Sequence, residues 1–580
     1  MIADEITQLR TEVSAAAMMR HLEEFARRIK LSGTPEELES FHYLRARLDE
    51  YGYRTDLISH PAYISLPGAA RLNVGNVSPR CITHSFSRPS PAGGTRGRLV
   101  YAGSGTVGDL AKVDAHDAIL LLDGMATPGA AHRVAGTEAI GQVHISPHEH
   151  IHEMCVSPVW GSPTHELVDM LPSTVVLSIE KADGDQLKAR LAAGERLDAE
   201  LHAEVDTGWR ETPILVAELM PNGAREDTPF VMFSGHHDTW YYGVMDNGGA
   251  NATMLEVARL MAPHREQWRR GLRLCFWSGH SHGRYSGSTW YADNHWLELE
   301  KRCAVHVNVD STGAKGNTVL TDAPSSSELV AFAREAVSIE GGQELAGLRM
   351  GRAGDQSFWG VGVPSMFMAM GEQPASQDAN VAAAVFGGGT RKGAGLGWWW
   401  HTPHDTLDKM DPDLLVRDTR IYVHTIWRLL TDRTLPLDYA DHARALLGVL
   451  TQLADSLRGR VDLSGLVHLA ERLRDAAVAF RDASPVRDAS SVDRALMRVG
   501  RALVPLDYTT GDRFGHDPAL PQAPWPALAP LRQLVAATPG SDEAAFLTVA
   551  ARRGHNRLAH ALEQAITALS LEDQGATGAA

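Results

Sequence analysis

The chain is poor in the features that would make it a disulfide-rich, secreted or membrane-spanning protein. Its 580 residues include only four cysteines, none in a Cys-x-x-Cys pair, so neither a disulfide framework nor a thiolate zinc site is indicated. No apolar run approaches the roughly 20 residues that span a bilayer, so no membrane partner is expected. Asp4 and Glu5 stand where a secretion signal would be basic, and a cytoplasmic location is therefore expected.

Basic residues are scarce relative to acidic ones. Lysine and arginine total 55 against 71 aspartate and glutamate residues, and the formal net charge is −16. Because phosphate binding requires a concentrated basic face, this balance argues against a nucleic-acid partner. A small peptide or amide substrate is expected instead.

The 580 residues exceed what one hydrophobic core usually supports, so several domains are expected. Changes in the local residue pattern divide the chain into three parts. Short β-like runs between Gly and Pro turns fill 61–209, which predicts an inserted β-rich domain. Strand and helix patterns alternate over 210–435. With 1–60, this part predicts an α/β domain that has a mostly parallel sheet flanked by helices. Helical apolar spacing over 436–580 predicts a helical carboxyl-terminal domain.

The most informative stretch is Gly-His-His-Asp-Thr-Trp at 235–240, followed by Asp-Asn-Gly-Gly at 246–249. A strand-like apolar run precedes the stretch and a helical pattern follows it. Its loop therefore lies at the carboxyl end of a strand, where open α/β sheets bind ligands. His236 and Asp246 offer the imidazole and carboxylate ligands that zinc and similar ions accept. The stretch predicts a metal site.

Further potential ligands follow later in the sequence. Asp310 enters a Ser-Thr-Gly loop at a predicted strand end, although an aspartate there is also ordinary turn chemistry. His401 follows three tryptophans, and its alternative interpretation is a buried structural histidine. The histidine-rich tract at 144–152 is interpreted as a polar loop edge, with a separate metal site as the alternative.

The ordered set of motifs resembles the co-catalytic zinc aminopeptidase family. The set comprises the two motifs above, Asn-x-Asp at 308–310 and His-Thr-Pro-x-Asp-Thr at 401–406. The insert and helical tail resemble the branch of glutamate carboxypeptidase II and the transferrin receptor. The resemblance implies a metallopeptidase-like fold, a protease-associated-like insert, a dimerisation-like tail and a homodimer. It also implies a hydrolase that cleaves an amide bond in a peptide or small amide through metal-bound hydroxide.

Carried over position by position, the resemblance implies that His236, Asp246 and Asp310 hold one metal ion. Asp246 would bridge to a second ion that His401 also binds. Asp238 would be the carboxylate that orients His236, fixing its tautomer. Two such ions can share a water, lower its pKa toward about 7 and polarise the scissile carbonyl.

The chain departs from the family where two adjacent glutamates normally act, the first as general base and the second as a metal ligand. Its segment 277–288 contains no acid. Counting forward from Trp277 puts His280 and Ser281 at the two positions, whereas counting back from Gly287 puts Ser281 and His282 there. Imidazole binds zinc better than a serine hydroxyl and titrates near neutral pH. One of the two histidines is therefore predicted to bind metal and the other to move protons.

We assign His282 to the metal and His280, with Asp238, to catalysis, while the reverse assignment of the two histidines stays open. An imidazole in place of a glutamate adds one net positive charge to the site. Iron, manganese, nickel and cobalt are therefore alternatives to the zinc that the resemblance implies, and one or two ions are expected. Arg352 lies in a segment similar to the family's substrate-pocket loop and is a candidate for binding a substrate carboxylate, with a solvated arginine as the alternative.

Two other functions compete with hydrolysis by a pair of ions. The missing glutamates favour a non-catalytic binding or scaffold protein, as the transferrin receptor is, but most ligand positions are retained. A histidine-rich site also suits a single hydrolytic ion or a redox-active iron. Loss of a general base costs about 10² to 10⁴ in rate, so the absent acids do not by themselves imply inactivity.

Overall fold

Two long antiparallel strands, β1 (Arg54–Val74) and β7 (Asp198–Leu219), join the two halves of one sheet. The computed structural model describes residues 2–375 and 392–570. The other strands in these ranges are β2 (Cys81–Thr83), β3 (Thr95–Tyr101), β4 (Ala118–Asp123), β5 (Gly141–Ile145), β6 (Val175–Ile179), β8 (Phe230–His236), β9 (Gly271–Trp277), β10 (Cys303–Asn308) and β11 (Ser365–Met366).

Helices flank the sheet and form the carboxyl-terminal part of the described chain. They are α1 (Ile2–Glu12), α2 (Ala15–Phe25), α3 (Pro35–Glu50), α4 (Val107–Leu110), α5 (Pro128–Ala135), α6 (Lys181–Ala192), α7 (Ala250–Met261), α8 (Ser286–Asn294), α9 (Trp296–Arg302), α10 (Val330–Gly341), α11 (Pro412–Thr431), α12 (Tyr439–Ser456), α13 (Ser464–Ala483), α14 (Ala489–Tyr508), α15 (Ala529–Ala536) and α16 (Asp542–Ser570). Among the described residues, none of the helices combines the length and apolar character needed to cross a bilayer.

The sheet consists of two parallel portions on either side of β7. One portion has the order β11-β10-β8-β9 and the other the order β3-β4-β5-β6. The strand β7 pairs antiparallel with β9, β3 and β1, and β2 closes the far edge antiparallel to β6. The predicted α/β fold with a mostly parallel sheet flanked by helices is confirmed.

The strands that lead to the predicted metal site lie in the centre of the first portion. Every residue of β8 and β9 is buried, as expected for parallel strands that helices cover on both faces. The helix that follows β8 is α7, and all its residues except Arg259 are buried. Since β8, β9 and β10 run parallel, their carboxyl ends open at the same edge of the sheet.

A separate apolar core lies within 61–209. Its fully buried side chains include Leu121, Val143 and Leu177 from three neighbouring strands. The strands β1 and β7 nevertheless run through positions 60–61 and 209–210 without interruption, so the predicted boundaries lie inside paired strands. The domain division and the likeness of the insert to a protease-associated domain stay predictions.

The described part of 436–580 is helical, as its apolar spacing predicts. Leu446, Leu473 and Leu562, from three of its helices, are fully buried in one continuous core with the α/β part. The predicted role of these helices in dimerisation and the cytoplasmic location stay predictions.

Candidate metal centre

Loops at one edge of the sheet bring the predicted ligands together. His236 is the last residue of β8, Asp310 follows the end of β10 by two positions, and His280 follows the end of β9 by three. Asp246 lies in the turn between β8 and α7, and His401 lies in the loop before α11. The placement is the one expected for ligands in an open α/β sheet, beyond the carboxyl ends of the strands.

Asp246 stands between two histidines. Its Oδ1 is 3.1 Å from His236 Nε2, and its Oδ2 is 3.1 Å from His401 Nε2. Asp310 Oδ2 approaches the same His236 nitrogen at 3.6 Å. Each oxygen of Asp246 therefore faces a different imidazole.

The donor set fits a divalent cation. His236 Nε2 and Asp246 Oδ1 are buried atoms without a hydrogen-bond partner, although buried polar atoms are normally paired. Imidazole nitrogen and carboxylate oxygen are the groups that zinc accepts. Within the described residues, one group of three histidine, cysteine or acidic side chains has ligand atoms that all lie within 4.8 Å of one another, and it consists of His236, His280 and Asp310.

The charges of the centre also favour a cation. Burial alone would lower the pKa of His236, but the carboxylates of Asp238, Asp246 and Asp310 outweigh it and raise that pKa well above its usual value. Burial likewise opposes ionisation of Asp246, yet the neighbouring imidazoles of His236 and His401 hold its pKa far below the usual range. Burial lowers the pKa of His401, which favours the neutral ring that metals bind.

Asp238 contacts His236 mainly through its backbone. His236 Nδ1 donates to the Asp238 carbonyl oxygen at 2.9 Å, whereas the nearer carboxylate oxygen is 3.6 Å away. Either contact leaves the His236 Nε2 lone pair for an ion. The carboxylate instead accepts hydrogen bonds from Ser32 Oγ at 2.7 Å and from the Ser281 amide at 2.9 Å. The predicted orienting residue thus also fixes the loop that follows β9.

Asp405 supports the centre in a similar way, although sequence reasoning gave it no role beyond its place in the motif at 401–406. Its two carboxylate oxygens accept hydrogen bonds from the amides of Met245 and Asp246 at 2.8 and 3.0 Å. Burial raises the pKa of Asp405 to about 7. The buried side chain fixes the backbone that carries the central carboxylate.

The two histidines that follow β9 have different environments. His280 stacks on His236 with ring centroids 3.7 Å apart. His282 is fully buried, its Nδ1 lies 3.0 Å from Ser32 Oγ, and its ring centroid is 4.3 Å from that of Trp240. Its Nε2 has no hydrogen-bond partner, and burial lowers its pKa to about 4. Only His280 belongs to the three-residue group described above.

The insert contacts the centre directly, which sequence reasoning missed. His401 Nδ1 donates to the Glu153 carbonyl at 2.7 Å, and His152 Nδ1 donates to the Trp400 carbonyl at 2.5 Å. His152 Nε2 lies 3.0 Å from His148 Nε2, so two histidines of the tract at 144–152 bond to each other. The tract belongs to no three-residue ligand group in the described chain. No local pattern indicates contacts across 248 positions.

Arg352 is held by the protein itself. Its Nη2 donates to the carbonyl oxygens of Asp517 and Pro518. Its guanidinium lies over the rings of Trp160 and Trp359, 4.5 and 5.2 Å from their centroids. A substrate carboxylate would have to compete with these contacts, and the binding role of Arg352 stays a prediction.

The sheet and its strand-end cluster of histidines and carboxylates define the chain as an α/β protein with a candidate metal centre. More particularly, residues 215–426 match the model of Peptidase family M28. A zinc aminopeptidase from Bacillus subtilis shares the fold, with a TM-score of 0.55 and 18% identity over 72% of this chain and 96% of that one.

Curated relatives are similar over shorter stretches. Aminopeptidase NAALADL1 of Rattus norvegicus is 23% identical over 316 residues, which are 48% of this chain and 40% of the relative. A glutamate carboxypeptidase 2 homolog of Caenorhabditis briggsae is 30% identical over 121 residues, which are 20% of this chain and 15% of that protein. The matches therefore span less than half the length of these relatives.

Proposed function

We propose that the chain is a metal-dependent hydrolase that cleaves an amide bond in a peptide or small amide. The observation that carries the proposal is that His236 and His401 face opposite oxygens of Asp246, with His236 Nε2 and Asp246 Oδ1 buried and unpartnered. A divalent ion held there, zinc in the first instance, would polarise a substrate carbonyl and make water more nucleophilic. The match to Peptidase family M28 and the shared zinc aminopeptidase fold support the proposal.

His236, Asp246 and Asp310 would hold one ion, and Asp246 with His401 would hold a second. We retain His282 as the third ligand of the second ion. Its buried Nε2 lacks a partner, and its ring lies beside Trp240, which also contacts His401. Neutral imidazole at this position fits the lowered pKa of His282.

His280 would move the proton that the family's first glutamate moves, because its ring lies against His236 at the edge of the centre. Asp238 would hold the loop that carries His280, through its bond from the Ser281 amide. A homodimer formed through the carboxyl-terminal helices is part of the proposal and can be checked by light scattering.

The test combines metal analysis with turnover. The full chain, purified without chelator, should hold one or two transition-metal ions and hydrolyse members of a panel of peptides and aminoacyl amides. His236→Ala should remove both the metal and the turnover, whereas His468→Ala, at an exposed position of α13, should change neither. A metal-free wild type, or turnover that His236→Ala leaves intact, would refute the proposal.

A non-catalytic binding protein is the second candidate, and the absence of any acid in 277–288 favours it. Such a protein would bind a peptide tightly and leave it intact across the same panel. Calorimetry with chromatography of the recovered peptide separates the two functions.

A further inference from the structure

We propose that Asp355 is a positioning residue that accepts a hydrogen bond from His280 Nδ1 and so turns His280 Nε2 toward the centre. The inference rests on the proposed function, in which His280 replaces the family's first glutamate. The proton transfer that a single glutamate performs in the family would here be shared by two residues, His280 and Asp355. Neither residue type nor local spacing indicates the pair, because the two residues lie 75 positions apart.

Asp355 is buried and contacts His280 directly. Its Oδ2 lies 2.9 Å from His280 Nδ1, and its side chain is 2% exposed. Its Oδ1 accepts a hydrogen bond from Ser288 Oγ at 2.8 Å. Each oxygen of the carboxylate is therefore engaged by a different neighbour, which fixes the carboxylate plane.

The direction of the hydrogen bonds follows from a chain of donors that starts in the insert. The indole of Trp160 can only donate, and it does so to Ser357 Oγ at 2.9 Å. Ser357 Oγ lies 2.9 Å from Ser288 Oγ and can donate its own hydrogen there. Ser288 then donates to Asp355. This series of donors ends at Asp355 Oδ1, and Oδ2 of the same carboxylate is left to accept from His280 Nδ1.

This arrangement determines which nitrogen of His280 serves the centre. A neutral imidazole carries one N–H, and here Nδ1 carries it. Nε2 is therefore left with a lone pair. The ring stacks on His236, and one of its nitrogens belongs to the group of possible ligand atoms formed with His236 and Asp310. Tyr285 packs against the same ring at a centroid distance of 4.9 Å and limits its rotation.

The decisive variant is Asp355→Asn. The amide oxygen of asparagine would keep the bond from Ser288, so its NH2 group would face His280 Nδ1 and favour the tautomer protonated at Nε2. Nitrogen-15 NMR of the full chain labelled in histidine, with His280→Asn for assignment, reads the tautomer directly. We expect N–H at Nδ1 in the wild type and at Nε2 in the variant.

A positioning role for Asp355 predicts a change in kcat alone. With the metal bound, kcat should fall by about 10² to 10⁴, as for loss of a general base, while KM and metal content stay unchanged. Asp493→Asn, which breaks a buried ion pair with Arg270 far along the chain in α14, is the control for general destabilisation and should keep both tautomer and kcat. Ser288→Ala serves as a second variant should Asp355→Asn misfold. It removes one donor to the carboxylate and should lower kcat by about tenfold.

An Nε2–H tautomer in the wild type would overturn the proposal. An unchanged kcat in Asp355→Asn, or in Ser288→Ala if Asp355→Asn misfolds, would also overturn it. The NMR measurement needs neither metal nor substrate, so its result is independent of the proposed function. A chain without metal or turnover but with Nδ1–H at His280 would refute hydrolysis and leave the orientation by Asp355 intact.

Discussion

His401 and Glu153 lie 248 positions apart and hydrogen-bond to each other twice. His401 Nδ1 donates to the Glu153 carbonyl at 2.7 Å, and the Glu153 amide donates to the His401 carbonyl at 3.0 Å. Since a carbonyl can only accept, Nδ1 must carry the hydrogen, and His401 Nε2 faces Asp246 with its lone pair. The insert thus fixes the tautomer of a candidate metal ligand that the α/β part supplies.

The first prediction concerns this contact between the insert and His401. Glu153→Pro removes the amide that donates to the His401 backbone carbonyl and should thereby displace the Glu153 carbonyl that orients the ring, whereas Glu153→Ala keeps the backbone and removes only the side chain. Because partners that orient a ligand contribute about 10–100-fold to metal affinity, we expect the proline variant to bind zinc that much more weakly. Calorimetric titration of metal-free protein measures the affinity. Equal affinities for the two variants would contradict the role of the backbone.

The second prediction concerns the carboxylate between the two histidines. Asp246→Asn keeps the shape of the side chain but removes its negative charge, so His401 Nε2 loses its carboxylate partner and His236 Nε2 keeps only the more distant Asp310. We expect metal content measured by mass spectrometry to fall to background and turnover to be lost with it. Asp408→Asn is the matched control, because this exposed carboxylate follows His401 in the same loop. A variant at Asp246 that still holds metal would show that the other ligands suffice.

The third prediction concerns removal of the metal. A ligand that binds only the folded chain stabilises it by about 4 kcal/mol when its free concentration is about 1,000 times Kd. Chelation should therefore lower Tm by several degrees in calorimetric scans, and added zinc should restore it. The Tm of His236→Ala should change neither on chelation nor on addition of zinc. Identical Tm values for chelated and zinc-loaded wild type would mean that no site of this strength exists.

The fourth prediction concerns acid stability through His84, which is buried in the insert and accepts a hydrogen bond from the Met154 amide at its Nδ1. Burial lowers its pKa to about 3. The unfolded chain therefore binds more protons below about pH 6.5, and the free energy of unfolding falls as the pH is lowered. Between pH 7 and 5 the loss from this group is about 2 kcal/mol.

Urea unfolding of the wild type and of His84→Asn at both pH values measures this loss. The variant should be less stable at pH 7, because it disturbs buried hydrogen bonds, but its stability should depend less on pH. If the difference between the two proteins stays constant from pH 7 to 5, His84 does not titrate as described.

The sequence predicted well what depends on local pattern. The strand and helix patterns over 210–435 indicated the part of the chain that contains β8, β9 and β10, because a buried parallel strand is recognisable from its own residues. The motifs placed His236 and Asp310 at strand ends, and parallel strands bring such ends to one edge. The domain limits near 61 and 209 stay predictions, and the continuation of β1 and β7 through these positions could not be seen from a change in composition.

The sequence by itself thus determined the residue types of the centre and the strand ends that carry them, because both follow from short-range periodicity. Only the tertiary structure decided which histidine after β9 lies against His236, and which groups orient it. His280 and His282 are two positions apart and equivalent as ligands, but His280 meets Asp355 at the centre, whereas His282 lies between Ser32 and Trp240. These partners come from distant segments, and their packing directs each imidazole lone pair.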